Sequence, residues 1–323
     1  MSDKNVALVL ASGGSRGLAH IGAIEALQER GYNITSIAGT SMGALVGGLY
    51  AAGGLKDFEQ WMTSVDRWKV FTLMDFTLTN KGFVKGDKII GELKELVSDQ
   101  MIENLQIPFA AVATDIRHRQ EVVFEEGSLY EAIRASISIP SLFTPHIIDD
   151  MMLIDGGVLN PLPISCVKRT PRDILVVVDL NGPYLPEVED SEEEVPQEKS
   201  IAVQKIEEYY EYLKDKVDTI KGKVDSFVDK YKSDKMLESE ALVEEFEEKE
   251  SLHDINLVEI LDRSSGVMGQ RIVDLTLKLY PPDVLVRIAK NAYSTLDFHK
   301  YSEISALGKR LMNEALDRFE GVK

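Results

Sequence analysis

Three runs in this chain, VALVLAS at 6–12, IPFAAVAT at 107–114 and DILVVVDL at 173–180, are apolar at nearly every position rather than at every second one. A strand that alternates apolar with polar residues faces water on one side. A continuous apolar run is what a strand needs when helices cover both faces of its sheet, as in parallel α/β folds. Helical patterns stand between the runs. HIGAIEALQERG (20–31) ends in a glycine, ITSIAGT (34–40) is a further strand candidate, and MGALVGGLYAAGG (42–54) is the helix after it. GDKIIGELKELVSD (86–99) places apolar residues at 89, 90, 93, 96 and 97, one helical face, with Asp87 as the expected cap. PPDVLVRI reads as a last strand and YSEISALGKRLMNEALDRFE as a terminal amphipathic helix. The order predicts a parallel sheet covered by helices.

One stretch breaks the pattern. Residues 187–250 hold 22 Asp and Glu against 10 Lys and Arg, most of the excess behind a net charge of −18. The stretch opens with the acidic, proline-flanked PEVEDSEEEVPQEKS. Ile206, Tyr210, Leu213, Val217, Ile220, Val224, Phe227 and Tyr231 then recur at alternating steps of four and three. That is the spacing of a coiled-coil seam. The expected organisation is a catalytic body of 1–185 and 254–323 with an acidic helical insertion at 186–253. Two uses of the seam stay open: closure on itself as a hairpin, or a homo-oligomer or protein partner held through 201–250.

The acidic balance excludes nucleic acid, whose phosphates need clustered Lys and Arg. One cysteine, Cys166, rules out an intrachain disulfide and points to a reducing compartment. No run reaches the roughly 18–20 apolar residues that span a bilayer, and the N-terminus does not read as a signal peptide. The expectation is a cytoplasmic protein, with peripheral membrane contact left open.

Three short elements carry candidate chemistry. GTSMG (39–43) sets Ser41 between a strand and a helix, the context of a nucleophile elbow. A helix cap without chemistry is the competing reading. SGGSRG (12–17) also follows a buried strand and opens a helix. Consecutive amides in such a loop form a nest for a negative oxygen. MLIDGGVLNPLP (152–163) delivers Asp155 to a two-glycine turn, as a base for the serine or as a turn residue only. None of the five histidines has a local triad signature.

Together these elements resemble the patatin-like phospholipase family, as do FVKGDKI, the text from VATDIRHRQ through IRASISIPSLFTPH, and PPDVLV. The resemblance covers residues 5–183 well and 254–318 loosely. It implies a three-layer α/β/α fold with a mostly parallel central sheet, a protruding helical insertion being this chain's own addition. It implies acyl-ester hydrolysis on lipids by a Ser–Asp dyad, with Ser41 as nucleophile, Asp155 as base, and the amides of Gly13, Gly14 and Ser15 as oxyanion donors. It implies no metal and no organic cofactor. The family's loop usually opens with three glycines, and here the first is Ser12, a source of strain if that position needs positive φ.

Arg16, Met42, Trp61 and Phe83 are the candidate substrate-binding residues. Arg16 either holds the loop or faces an anionic head group. The large apolar residues of 55–83 either line an acyl channel or pack as a helical core. Two other functions compete. SGGSRGLA and the Tyr210–Lys214 spacing suggest a short-chain dehydrogenase, but Ala19 replaces the third glycine and no acid follows the second strand. A non-catalytic scaffold presenting the insertion is the other.

Overall fold

The fold was taken from a computed structural model, which describes residues 4–322 apart from 67–68, 71–72, 74–75, 80–81, 141 and 185–256. The body comprises the described residues of 1–187 and 261–323. The acidic segment and its seam lie outside the described residues.

Seven strands follow one another across the main sheet in the order β10–β9–β1–β2–β5–β8–β7, and β6 pairs with β5. The four junctions among β10 (Val284–Ala289), β9 (Ile174–Gly182), β1 (Asn5–Leu10), β2 (Asn33–Thr40) and β5 (Phe109–Asp115) are all parallel. Their apolar runs are buried as the sequence predicts, with Val6–Leu10 and Val176–Val178 wholly out of solvent. Flanking helices complete the α/β/α layers: α1 (Ala19–Glu29), α2 (Met42–Ala51), α3 (Leu55–Met62), α4 (Asp87–Leu96), α5 (Leu129–Ser136), α6 (Leu257–Leu279) and α7 (Tyr301–Glu320). A separate hairpin joins β3 (Phe76–Thr79) to β4 (Gly82–Val84). No helix among the described residues is long and apolar enough to cross a membrane.

One detail departs from expectation. The cap of α4 is Gly86, in the left-handed region at φ 79°, and Asp87 is the first helical residue. Its carboxylate therefore sits in the first turn, where it favours the positive end of the helix dipole. The sheet is mostly parallel, as expected, and mixed at one end: β6 (Gln120–Phe124), β8 (Met151–Asp155) and β7 (His146–Ile148) join antiparallel.

That mixed end positions the site. Residues 109–112 of β5 pair with β2, and residues 113–115 pair with β8. β6 takes the opposite edge of β5 from 111 to 115, so β2 and β8 share one edge and run head-on along it. Thr40 faces Val112 and Asp155 faces Ala113. The residue after β2 and the last residue of β8 must therefore meet.

Candidate active site

Ser41 occupies the single step between β2 and α2, at φ 57° and ψ −122°. A non-glycine residue in that region is strained and persists only where its surroundings impose it. Two glycines make the tight turn possible. A Cβ on Gly39 would lie 2.3 Å from the Gly43 carbonyl, and one on Gly43 would lie 2.1 Å from the Leu10 carbonyl. Only glycine lets the helix start this close to the sheet.

Ser41 is 2% exposed, and its Oγ donates to Asp155 Oδ2 at 2.5 Å. The other carboxylate oxygen accepts from the Gly157 amide at 2.7 Å. The Asp155 amide donates to the Ser138 carbonyl at 2.9 Å. The carboxylate is thus fixed at both ends. Burial raises the Asp155 pKa to about 6, against the opposing pull of the Ser41 and Gly157 hydrogen bonds. A carboxylate shifted this way is a stronger base than one in water and is still ionised at neutral pH.

The loop from Ser12 to Arg16 lies against the same place. The amides of Gly13 and Gly14 meet no protein acceptor among the described residues. Gly14 sits at φ 56° and lines the cavity beside Ser41. Ser15 differs from expectation. Its amide donates to the Thr295 carbonyl at 3.0 Å and its hydroxyl to the Ser294 carbonyl at 2.6 Å, so its N–H is engaged and not offered to an oxyanion. Ser12 is not among the positive-φ residues, so the change from glycine brings no such strain. Its amide donates to the Pro161 carbonyl, and its own carbonyl accepts from Asn181 Nδ2 at 3.0 Å.

Arg16 takes the first of the two roles left open for it. It is 6% exposed, and its guanidinium donates to the carbonyls of Leu180 (3.2 Å) and Tyr293 (2.9 Å). Those bonds tie the loop to β9 and to the segment after β10. The side chain holds the loop and does not face a head group.

Met42 and Trp61 do line the cavity. Phe83 lies in β4, and its side chain is outside the described set. The cavity, about 110 Å³, opens onto Ser41 and is walled by Phe58, Met62, Leu93, Ile137, Phe143, Leu296 and Phe298 among others. Phe58 and Met62 are buried in the core as well, so the same residues both pack and line the cavity. Ile137 and Phe143, and the segment 295–298, are lining that sequence reasoning did not name.

His20, His118 and His146 are engaged away from Ser41. His20 is wholly buried with Nε2–H on the Ala11 carbonyl at 2.9 Å, and desolvation pushes its pKa down to about 4. His118 pairs with Asp115 at 2.5 Å and His146 with Glu131 at 2.7 Å. Asp155 is the acid or base that touches Ser41.

The family model for patatin-like phospholipase matches residues 8–166, the span from β1 through Ser41 and Asp155. An uncharacterized NTE family protein of Mycobacterium tuberculosis is 35% identical over 335 residues, covering 99% of this chain and 93% of that one. This chain belongs to the patatin-like phospholipase family. As a patatin-like protein it is a lipid acyl hydrolase. Further relatives are NTE1 lysophospholipases of fungi. That of Scheffersomyces stipitis is 32% identical over 190 residues, 56% of this chain and 12% of that one. That of Emericella nidulans is 31% identical over 185 residues, 55% and 12%. The patatin-like region shared with these long proteins is thus a small part of them.

Proposed function

We propose that this protein hydrolyses carboxylic esters of phospholipids, lysophospholipids or related lipids through a Ser41–Asp155 dyad and a covalent acyl-enzyme. The observation that carries the reading is the 2.5 Å hydrogen bond from Ser41 Oγ to a buried carboxylate, at the mouth of an apolar cavity. The fungal relatives named lysophospholipases favour lipids with one acyl chain.

Asp155 takes the hydroxyl proton as Ser41 Oγ attacks the ester carbonyl. The oxyanion is received by the amides of Gly13 and Gly14, at the positive end of α2. Collapse breaks the bond to the alcohol, which leaves with the proton returned by Asp155. Water then attacks the acyl-enzyme, again giving its proton to Asp155. The second collapse releases the fatty acid and restores the Ser41 hydroxyl. The acyl chain occupies the apolar cavity, where burial contributes roughly 0.8 kcal/mol per methylene.

A fluorophosphonate probe and a fatty-acid release assay test this together. The wild type is expected to label and to release fatty acid, and Ser41→Ala to do neither. Asp155→Asn keeps the nucleophile but loses the base, so its rate should fall by about 10²–10⁴. Wild-type labelling should decline as the pH drops through about 6, where Asp155 takes up a proton. Labelling that survives Ser41→Ala unchanged would remove the proposed nucleophile.

A further inference from the structure

The main chain of the strained Ser41 is held at both ends: its carbonyl accepts from the Leu45 amide at 3.0 Å, inside α2, and its amide is bound from another element. The Ser41 amide donates to Ser136 Oγ at 2.8 Å, and the Ser136 hydroxyl donates in turn to the Val112 carbonyl at 2.6 Å. Ser136 is the last residue of α5 and has no solvent exposure. Its oxygen accepts and donates at once, so a single hydroxyl joins the nucleophile's main chain to β5. Two residues on, the Ser138 carbonyl accepts the Asp155 amide. Ser138 is itself gripped by Arg134, whose Nη1 donates to its Oγ at 2.6 Å. The end of α5 therefore touches the backbone of both proposed dyad members.

We infer that Ser136 is a positioning residue, which holds Ser41 in its left-handed conformation so that Oγ points at Asp155. The inference rests on the dyad reading above and adds a residue to it. It has three physical grounds. A positive-φ serine relaxes unless something restrains it. The restraint must act on the main chain, because the side chain has to be free to attack. And the Ser41 amide is buried, so without an acceptor it carries the desolvation penalty of an unmade hydrogen bond. Hydrogen bonds that share a hydroxyl also polarise one another, which stiffens the chain from Ser41 to Val112. One consequence is that the amide of Ser41 is engaged and leaves the oxyanion to other donors.

The test compares Ser136→Ala, Ser136→Cys and Ser136→Thr with wild type and Ser41→Ala, using a small monomeric fluorophosphonate and a soluble ester. Alanine removes the acceptor. Cysteine keeps the approximate volume with a far weaker acceptor. Threonine retains the oxygen. In Ser136→Ala and Ser136→Cys, kcat and the labelling rate should both fall by about 10- to 100-fold. KM should stay within about twofold, since the acyl cavity is untouched. Ser136→Thr should recover most of the rate. A purely structural role would lower the melting temperature without separating kcat from KM. The inference is overturned if Ser136→Ala matches wild type, if the loss lies in KM, if threonine recovers nothing, or if both the alanine and cysteine variants fail to fold. Wild-type labelling that does not depend on Ser41 would instead defeat the dyad reading, and so the two failures are distinguishable.

Discussion

At the scale of single residues, the proposed role of Asp155 as a base is opposed to stability. The carboxylate is 6% exposed, and burial lifts its pKa from the ordinary carboxylate range to about 6. A folded-state pKa above the unfolded value means the native state binds this proton more tightly. The stability so gained is fully present below about pH 4 and is lost as the pH rises through about 6. At neutral pH the protein carries a buried charge whose desolvation is only partly offset by Ser41 and Gly157. Asp155→Asn cannot ionise. Relative to wild type it should therefore be more stable at pH 8 than at pH 4, by roughly 2–3 kcal/mol between the two conditions. Denaturant titrations of both proteins at the two pH values measure that difference, and an equal offset at both would show that Asp155 titrates normally. Ser41 and Asp155 were legible in the sequence through the combination of GTSMG, SGGSRG and DGG in the order and spacing of a patatin-like chain, since each motif alone also reads as a cap or a turn. Ser136 was not. A serine in IRASISIP reads as an ordinary helix residue, and only the fold turns its hydroxyl toward an amide 95 positions away. Arg16 was legible as one of two roles, and burial decided between them.

At the scale of elements, close approach of backbones decides what a glycine is for. α7 packs against α1 through glycines on both helices. A Cβ on Gly22 would lie 1.9 Å from the Ser305 carbonyl, and one on Gly308 would lie 2.0 Å from the Ala19 carbonyl. Gly91, inside α4, has nothing within 4 Å of the same point. Helix propensity alone favours alanine over glycine by about 1 kcal/mol at both kinds of position. The prediction is a difference in sign. Gly91→Ala should stabilise by about 0.5–1 kcal/mol, and Gly308→Ala should destabilise by about 2–3 kcal/mol because α7 must move off α1. Thermal or urea unfolding of the two variants checks this. Shifts of the same sign would mean the helices are less tightly seated than 2.0 Å implies. The parallel strands and these helices were visible as apolar runs and 3.6-residue periodicity. The antiparallel strands β6, β7 and β8 were less so. They are short and partly exposed, and their pairing depends on β5: β6 takes its far edge, β8 continues along the edge where β2 stops, and β7 adds to β8.

At the scale of the whole molecule, the family match ends at residue 166, but the site draws on chain well beyond it. Tyr293, Ser294 and Thr295 supply the carbonyls that hold Arg16 and Ser15, and Leu296 and Phe298 wall the cavity. Backbone carbonyls carry no sequence signature, which is why this contribution was not readable beforehand. What secures that C-terminal part is the meeting of the chain's two ends. Glu320, at the end of α7, accepts from Lys4 at 2.9 Å and from Tyr32 at 2.8 Å, and it pairs with Arg30 at the end of α1. Arg30 also reaches Asp317 at 2.6 Å. The Lys4, Tyr32 and Arg30 hydrogen bonds together lower the Glu320 pKa to about 2. A depressed carboxylate stabilises the fold above its unfolded pKa, and that stability is lost as the pH falls through the folded value. The side chain is 23% exposed and Lys4 is nearly half in water, so screening reduces the effect to about 1 kcal/mol. Glu320→Gln should lower stability by that amount at pH 7, and the gap to wild type should narrow as the pH is brought from about 4.5 toward 2. Urea titrations across the range measure the gap. If it stays constant, the network acts through shape and neutral hydrogen bonds, and the charge of Glu320 does not fasten the last helix to the first strand.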